Sequence, residues 1–165
     1  MTTKADTRRV FLVGCPRSGT TLLQSLLFAH PQVISFPETF FFVHVANERG
    51  WRRRIGLAKP QSGRAITTIR EMVGDDSVSR RRRPLTIAGH ADQFVRSLDA
   101  TAQRAGATAW VEKTPSHLHR VGVIEQYVRS ARFVHIVRDA WAAVASLHKV
   151  THEHPGRRTR SVRTC

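Results

Sequence analysis

The chain has 165 residues, of which 41% are hydrophobic, and this composition predicts one globular domain and excludes a disordered chain. Its 27 lysines and arginines against 12 acidic residues give a net charge of +15, which predicts an anionic ligand or surface. Aromatic residues do not alternate with the arginine runs at 52–54 and 80–83, which disfavours a nucleic-acid-binding protein. The apolar runs are shorter than a membrane span and the N-terminus lacks a signal-peptide core, so we expect a soluble cytoplasmic protein.

The first predicted elements are a strand over Arg9–Val13 and a helix over Gly19–Ala29, with a loop of small residues between them. The strand is a continuous apolar run, as in buried parallel strands, and the helix has leucines at helical spacing. The first N–H groups of a helix have no intrahelical partner and carry partial positive charge. The strand, loop and helix together therefore predict a cradle for a phosphate-like anion.

The loop differs from a nucleoside-triphosphate loop at one decisive position. Gly14 and Gly19 have the spacing of the two glycines in G-x-x-x-x-G-K-[ST], but Thr20 stands where that pattern has lysine. The lysine normally reaches the terminal phosphates of a triphosphate, so its absence argues against an ATPase or GTPase. Arg17, inside the loop, offers a different cation.

Strands and helices continue to alternate after the loop, apart from a weakly patterned region at 49–83. The alternation predicts an α/β class with a central parallel sheet. Trp110 and Trp141 are predicted in the core, and Val144 and Leu147 on the buried face of the last helix. The predicted elements are strands at 33–36, 109–111 and 132–137, and helices at 40–45, 66–73, 87–105, 117–128 and 140–150.

Polar residues follow the carboxyl ends of the predicted strands. The anion loop follows the first strand, and Glu38, Lys113 and Arg138 come at the ends of the others. Ligands of parallel α/β sheets bind outside the carboxyl ends of the strands, so we expect these groups to line one cleft.

Two motifs resemble those of the sulfotransferases that use 3′-phosphoadenosine 5′-phosphosulfate (PAPS) as sulfuryl donor. The run Pro-Arg-Ser-Gly-Thr-Thr at 16–21 resembles their 5′-phosphosulfate loop, and Arg138-Asp139 with Ser146 eight positions after the arginine resembles their 3′-phosphate site. The run from Arg17, then His30-Pro31 and Glu38-Thr39, is similar to the bacterial and tyrosylprotein enzymes. The resemblance implies that the co-substrate PAPS is bound by Pro16, Arg17, Ser18, Gly19, Thr20, Thr21, Arg138 and Ser146.

The resemblance also implies a P-loop-like three-layer fold, catalytic roles and a reaction without a metal. Glu38 is the expected base that accepts the proton of an acceptor hydroxyl or amine, while Lys113 and Arg17 stabilise the developing negative charge. Each residue has a structural alternative: Glu38 as a helix cap, Lys113 as a solvated lysine, and Arg138-Asp139 as a pair at a helix N-terminus. The histidines at 117, 119 and 135 are expected on the surface or in the core, and His152-x-His154 lacks a third metal ligand.

The resemblance of the motifs covers residues 9–150. Members of the family usually continue with a further strand, helices and a basic loop that closes over the nucleotide, and nothing in residues 151–165 resembles these parts. We therefore expect a sulfotransferase domain at 1–150 that is incomplete on its C-terminal side, followed by a basic, disordered tail at 151–165.

Two other functions stay open at the level of the sequence. One is a truncated, inactive remnant that binds PAPS or its product without turnover. The other is a nucleoside-triphosphate-dependent kinase or NTPase with a degenerate loop, in which Asp139 would bind Mg²⁺. Neither the acceptor nor the oligomeric state can be deduced from the residues.

Overall fold

A parallel sheet organises the part of the chain that this computed structural model describes, which is residues 7–47, 50–60, 62–74 and 84–153. For Arg70 and residues 151–153 the backbone alone is described. The strands are β1 (Arg8–Gly14), β2 (Val33–Phe36), β3 (Ala109–Lys113) and β4 (Ala131–Ile136). They lie in the order β2-β3-β1-β4 and every neighbouring pair is parallel, which confirms the predicted α/β class with a central parallel sheet.

Helices connect and follow the strands. Most boundaries agree with the sequence pattern within a few residues, and β2 has the predicted bounds. The second half of the predicted helix at 117–128 is α-helical, whereas its first half is a 3₁₀ helix that begins at Pro115. In chain order the helices are α1 (Thr20–Phe28), α2 (Phe41–Val45), α3 (Trp51–Arg54), α4 (Gly63–Val73), α5 (Ile87–Arg104), the 3₁₀ helix (Pro115–Arg120), α6 (Val121–Tyr127) and α7 (Ala140–Glu153).

The last helix is longer than the sequence pattern indicates. α7 runs to Glu153, so the first three residues of the segment predicted as a tail are helical. Residues 154–165 lie outside the described residues. The disorder predicted for this segment and His154 of the His152-x-His154 pattern therefore lie outside them as well.

Aromatic side chains fill the core on one face of the sheet. Phe11 of β1 contacts Trp110 of β3 at 5.3 Å between ring centroids, and Phe41 of α2 stacks on Phe94 of α5 at 4.2 Å. Trp110 is fully buried, as predicted. Because side chains alternate along a strand, Leu12 is buried on the opposite face from Phe11.

Helix α1 covers that opposite face. Gln24 of α1 donates to Ser35 Oγ at 2.7 Å and to the carbonyl of Phe36 at 2.8 Å, which fixes the helix over β2. Phe36 itself belongs to the aromatic core on the other face. Helices therefore lie on both faces of the sheet, as the three-layer prediction requires.

The predicted burial of α7 is wrong. Trp141 is 80% exposed and Val144 is 59% exposed, although the sequence pattern predicts both inside. α7 follows β4, which lies at one edge of the described sheet. Apolar residues at helical spacing indicate one face of a helix, and that face is buried only where other elements cover it.

Candidate active site

The loop between β1 and α1 passes so close to β4 that its first residue must be glycine. A Cβ on Gly14 would lie 2.7 Å from the carbonyl oxygen of Ile136. The N–H of Ser18 donates to the carbonyl of Cys15 at 3.2 Å and closes a turn. Gly19, the residue that precedes α1, has φ 93°, a conformation that glycine adopts without steric cost. It has no side chain to accept the first N–H groups of α1, so these groups can donate to an anion.

The other loop residues differ in exposure. Ser18 and Thr20 are buried, Pro16 is half-buried, and Thr21 is exposed at the first turn of α1. The predicted phosphosulfate loop thus forms one continuous turn around the N-terminus of α1, with Arg17 at its exposed apex.

Arg17 connects the loop to the predicted 3′-phosphate residues. Its Nε donates to Ser146 Oγ at 3.2 Å, and Arg138 donates from Nη1 to the backbone carbonyl of Arg17 at 3.0 Å. Arg17 has φ 70°, which is uncommon for a residue with a side chain and concentrates at functional loops. The structure therefore brings together three predicted donor-binding residues that come from three different elements.

Asp139 has a structural role at the start of α7. Its Oδ1 accepts from the N–H of Ala142 at 2.9 Å, which is the geometry of a helix N-cap. This contact commits the carboxylate to the helix and disfavours the Mg²⁺-binding role that a kinase or NTPase would require.

Glu38 and Lys113 form an ion pair at the ends of β2 and β3. The distance from Lys113 Nζ to Glu38 Oε1 is 2.5 Å, and the side chains are 10% and 36% exposed for the lysine and the glutamate. Lys113 is thus a buried and paired residue rather than a solvated lysine. Its register partner is Leu12, two residues before the loop begins at Gly14, so the pair lies one strand away from the loop.

A threonine, and not Glu38, accepts a hydrogen bond from the first residue of the helix that follows. Thr39 Oγ1 accepts from the N–H of Phe41 at 3.1 Å at the start of α2. The Glu38 carboxylate is consequently directed to Lys113 and is still more than a third exposed to solvent. An acceptor molecule can reach a carboxylate with this exposure, even though the carboxylate is paired with a lysine.

The segment that carries Glu38 is held in place by a buried carboxylate, Glu112. Glu112 is fully buried and accepts from Thr39 Oγ1 at 2.7 Å, Thr114 Oγ1 at 2.5 Å and His117 Nδ1 at 3.0 Å. Thr114 Oγ1 also accepts from the backbone N–H of Thr39 at 3.1 Å. This network attaches the end of β2 to the end of β3 on either side of the Glu38–Lys113 pair.

The pKa of Glu112 lies below its ordinary value of 4.5. Burial alone raises this pKa, but attraction to the His117 ring and hydrogen bonds from His117, Thr114 and Thr39 outweigh that effect. The N–H of Phe42 donates to Nε2 of His117 at 3.2 Å, so the backbone of α2 holds the ring with Nδ1 toward Glu112.

Two basic side chains lie close enough to His44 of α2 to affect its pKa. The pKa of His44 is lowered, first by burial and then by the positive charges of Lys59 and Arg64. Lys59 donates from Nζ to the carbonyl of Val43 at 2.8 Å, so its ammonium group lies against the helix backbone. These charges favour the neutral form of His44.

The chain matches the sulfotransferase family over residues 9–165. It belongs to the sulfotransferase family. The matched range extends beyond Val150, where the resemblance of the motifs ends, and reaches Cys165. The division of this sulfotransferase into a domain at 1–150 and a tail at 151–165 stays a prediction.

A solved structure, that of sulfotransferase STF9 from Mycobacterium avium, matches the chain at 18% sequence identity with a TM-score of 0.46. The alignment covers 89% of this chain and 47% of that protein, so this sulfotransferase spans about half the length of its solved counterpart. No curated protein matches the chain.

Sequence reasoning missed the buried residues that position the site of this sulfotransferase. Glu112, Thr39, Thr114 and His117 carry the network, yet none was predicted as a site residue. The available signal was a glutamate that directly follows the apolar residues of a buried strand, because an ionised carboxylate there requires several hydrogen-bond donors. His117 was expected on the surface or in the core, and it is fully buried.

Two further features are absent from the described part of this sulfotransferase. No group of three metal-ligating side chains lies together there. No helix in the same part of the chain is long and apolar enough to cross a membrane.

Proposed function

We propose that this chain transfers the sulfuryl group of PAPS to a hydroxyl or amine of an acceptor. The observation that carries the proposal is the contact of Arg17 with both Ser146 and Arg138, which joins the loop and the expected 3′-phosphate residues into one anion site. Membership of the sulfotransferase family supports PAPS as the donor, because the family generally uses it.

The residues of this site fit a nucleotide that carries anionic groups at two separate positions. The loop offers the N–H groups at the start of α1 and the guanidinium of Arg17, which would hold the 5′-phosphosulfate. Arg138 and Ser146 would hold the 3′-phosphate, the group that distinguishes PAPS from ordinary nucleotides. Ser146 contacts Arg17 through Nε, and a guanidinium has five N–H donors, so further donors of Arg17 can bind an anion.

The strand order supports a proposed donor side over β4 and β1 and a proposed acceptor side at β3 and β2. Arg138 follows β4, the loop follows β1, Lys113 ends β3 and Glu38 follows β2, and these strands are consecutive neighbours. With strands about 4.8 Å apart, the row of groups is roughly 14 Å long. A nucleotide bound over β4 and β1 would thus direct its sulfuryl end toward Lys113, with Glu38 beyond it.

Glu38 has the properties of a general base at this position. It is a carboxylate that is 36% exposed and held at 2.5 Å from Lys113, so its orientation is constrained while an acceptor can still approach. The acceptor's proton would move to Glu38. As the acceptor oxygen or nitrogen bonds to the sulfur of PAPS, the bond from sulfur to the bridging oxygen would break and 3′-phosphoadenosine 5′-phosphate would leave. The positive charges of Lys113 and Arg17 would stabilise the negative charge that develops on the leaving oxygen.

Titration calorimetry tests the donor assignment. We expect 3′-phosphoadenosine 5′-phosphate to bind more tightly than ATP, with or without Mg²⁺. Tighter binding of ATP that depends on Mg²⁺ would overturn the sulfotransferase mechanism in favour of a kinase or NTPase. A transfer assay with labelled PAPS and hydroxyl and amine acceptors then separates an active enzyme from a chain that binds the nucleotide without turnover.

A further inference from the structure

We propose that a surface around Trp51 binds the surface of a membrane that contains anionic lipids. This surface, the Trp51 patch, combines exposed apolar side chains with adjacent arginines. Trp51 is 63% exposed, Ile55 is 59% exposed and Leu85 is 79% exposed. The complete patch consists of Trp51, Arg52, Arg53, Arg54, Ile55 and Leu85.

The backbone holds the Trp51 patch in a defined shape. Helix α3 ends with two hydrogen bonds, from the N–H of Gly56 to the carbonyl of Arg53 at 3.1 Å and from Leu57 to Arg52 at 2.9 Å. Gly56 has φ 69°, and this left-handed conformation with the two bonds is the standard glycine C-cap of a helix. The turn that presents Trp51 and the arginines is therefore ordered without a ligand.

A backbone connection brings Leu85 to the same surface. The N–H of Ala58 donates to the carbonyl of Leu85 at 2.9 Å, and the N–H of Ile87 donates to Gly56 at 2.8 Å. Residues 56–58 and 85–87 thus run antiparallel, with a bridge between Leu57 and Thr86. Leu85 consequently lies beside the end of α3 rather than in a separate part of the molecule.

The chemistry of the patch selects a lipid surface over other polyanions. The guanidinium of Arg52 lies 5.3 Å from the ring centroid of Trp51, so positive charge and an aromatic ring are presented together. Tryptophan prefers the interface between lipid and water, and arginines near it are attracted by anionic headgroups. A nucleic acid or a sulfated polysaccharide would attract the arginines but offers no apolar phase for Ile55 and Leu85. The net charge of +15 adds long-range attraction to any anionic membrane.

Another exposed leucine provides a matched control. Leu26 is 63% exposed on α1, a helix whose sequence contains no basic residue. Helix α1 covers the face of the sheet opposite the aromatic core, whereas α2, which precedes α3, belongs to that core. Leu26→Ala thus removes an equally exposed apolar side chain from a different surface.

Sedimentation with vesicles tests the proposal. The full chain should bind phosphatidylcholine vesicles that contain phosphatidylserine, and bind pure phosphatidylcholine vesicles much more weakly. Neutralising the arginines together (Arg52→Gln, Arg53→Gln and Arg54→Gln) should weaken binding about a hundredfold, and Trp51→Ala about tenfold. Leu26→Ala should bind as the parent chain does. Equal binding of the Trp51→Ala variant and the parent, or stronger binding to heparin or DNA than to the vesicles, would overturn the lipid assignment.

Tryptophan fluorescence provides a second, independent measurement. Trp51 and Trp141 are both exposed, whereas Trp110 is fully buried. With brominated anionic lipids, the Trp141→Phe variant should still be quenched because it retains Trp51. The Trp51→Phe variant should lose most of the quenching. Quenching that follows Trp141 instead would contradict the proposal, because the contact surface would then be α7.

Discussion

Arg17 and Ser146 are 129 residues apart in the chain, and a hydrogen bond of 3.2 Å from Arg17 Nε to Ser146 Oγ joins them. One residue belongs to the loop after β1 and the other to α7. The bond positions the guanidinium at the exposed apex of the loop, beside Arg138. If the nucleotide binds here, its 5′- and 3′-substituents share this one cluster.

The first prediction concerns the selectivity of Arg138 for the 3′-phosphate. Arg138→Ala should weaken binding of 3′-phosphoadenosine 5′-phosphate about tenfold to a hundredfold, the usual effect of losing a charge-assisted hydrogen bond. Binding of adenosine 5′-phosphate, which lacks the 3′-phosphate, should hardly change. Titration calorimetry measures both affinities.

Arg132→Ala is the matched control for Arg138. It removes the same charge from the exposed side of β4, four residues before the end of the strand. It should leave both affinities nearly unchanged, apart from a small effect of net charge. Equal losses for the two nucleotides in Arg138→Ala would show that the residue acts on the loop backbone alone.

The second prediction separates proton transfer from donor binding at Glu38. Glu38→Gln keeps the size of the side chain but removes the base, so the transfer rate should fall by about 10² to 10⁴. The affinity for 3′-phosphoadenosine 5′-phosphate should stay within about twofold, since Glu38 lies on the acceptor side of the row. A rate assay with labelled PAPS and calorimetry measure these two quantities.

A control on another surface carboxylate sharpens that prediction. Glu125→Gln changes an exposed glutamate of α6 and should not affect transfer. Retention of the full transfer rate in Glu38→Gln would eliminate Glu38 as the base.

The third prediction concerns the buried network of Glu112. Glu112→Gln places an amide N–H₂ among hydroxyl, imidazole and backbone donors, so at least one donor loses its acceptor. The free energy of unfolding should fall by about 3–5 kcal/mol, as for a broken buried charge network. Urea denaturation measures the loss, and the exposed Glu71→Gln should show a change near zero.

The lowered pKa of Glu112 predicts that the folded chain loses stability in acid. The pKa of Glu112 in the folded chain lies below its ordinary value of 4.5, so its ionised form is favoured in the folded state. Its contribution is complete above pH 4.5 and is lost as the pH falls through the folded pKa. Acid denaturation of Glu112→Gln should therefore be less steep in this range, and an unchanged profile would refute the assignment.

The fourth prediction concerns His90, a buried histidine of α5. Its pKa is lowered by burial, although a hydrogen bond from the ring to the Thr86 carbonyl acts in the opposite direction. Nε2 has no hydrogen-bond partner among the described residues. Because the folded pKa lies below the ordinary value of 6.5, stability is complete above pH 6.5 and falls as the pH decreases through the folded pKa.

His90→Leu should remove part of this pH dependence. The free energy of unfolding at neutral pH should change by about 1–2 kcal/mol, since one hydrogen bond is lost while an apolar group replaces the ring. Between pH 6.5 and the folded pKa the variant should lose less stability than the parent chain. His135→Gln, at an exposed position of β4, should leave the pH profile unchanged, and an equal effect of both substitutions would contradict the role of burial.

Much of the fold could be predicted because its signals are local. An apolar run, a loop of small residues and a leucine-rich helix indicate β1, the loop and α1, and the bounds of β2 are those of its apolar run. Trp141 and Val144 show the limit of such patterns. Helical spacing of apolar residues indicates a face, but the neighbours of that face decide whether it is buried.

The sequence by itself determined that the loop, Glu38, Lys113 and Arg138 lie at the carboxyl ends of strands, because apolar runs and their polar ends are local properties. The tertiary structure alone decided that the strands lie in the order β2-β3-β1-β4. The Glu38–Lys113 pair, the Arg17–Ser146 bond and the Glu112 network follow from that order. The two residues in each long-range contact are separated by 73 to 129 positions in the chain, whereas the contacts of Glu112 with Thr114 and His117 are local. Contacts at such separations depend on how helices pack against the sheet, and this packing has no signature in any single stretch of the sequence.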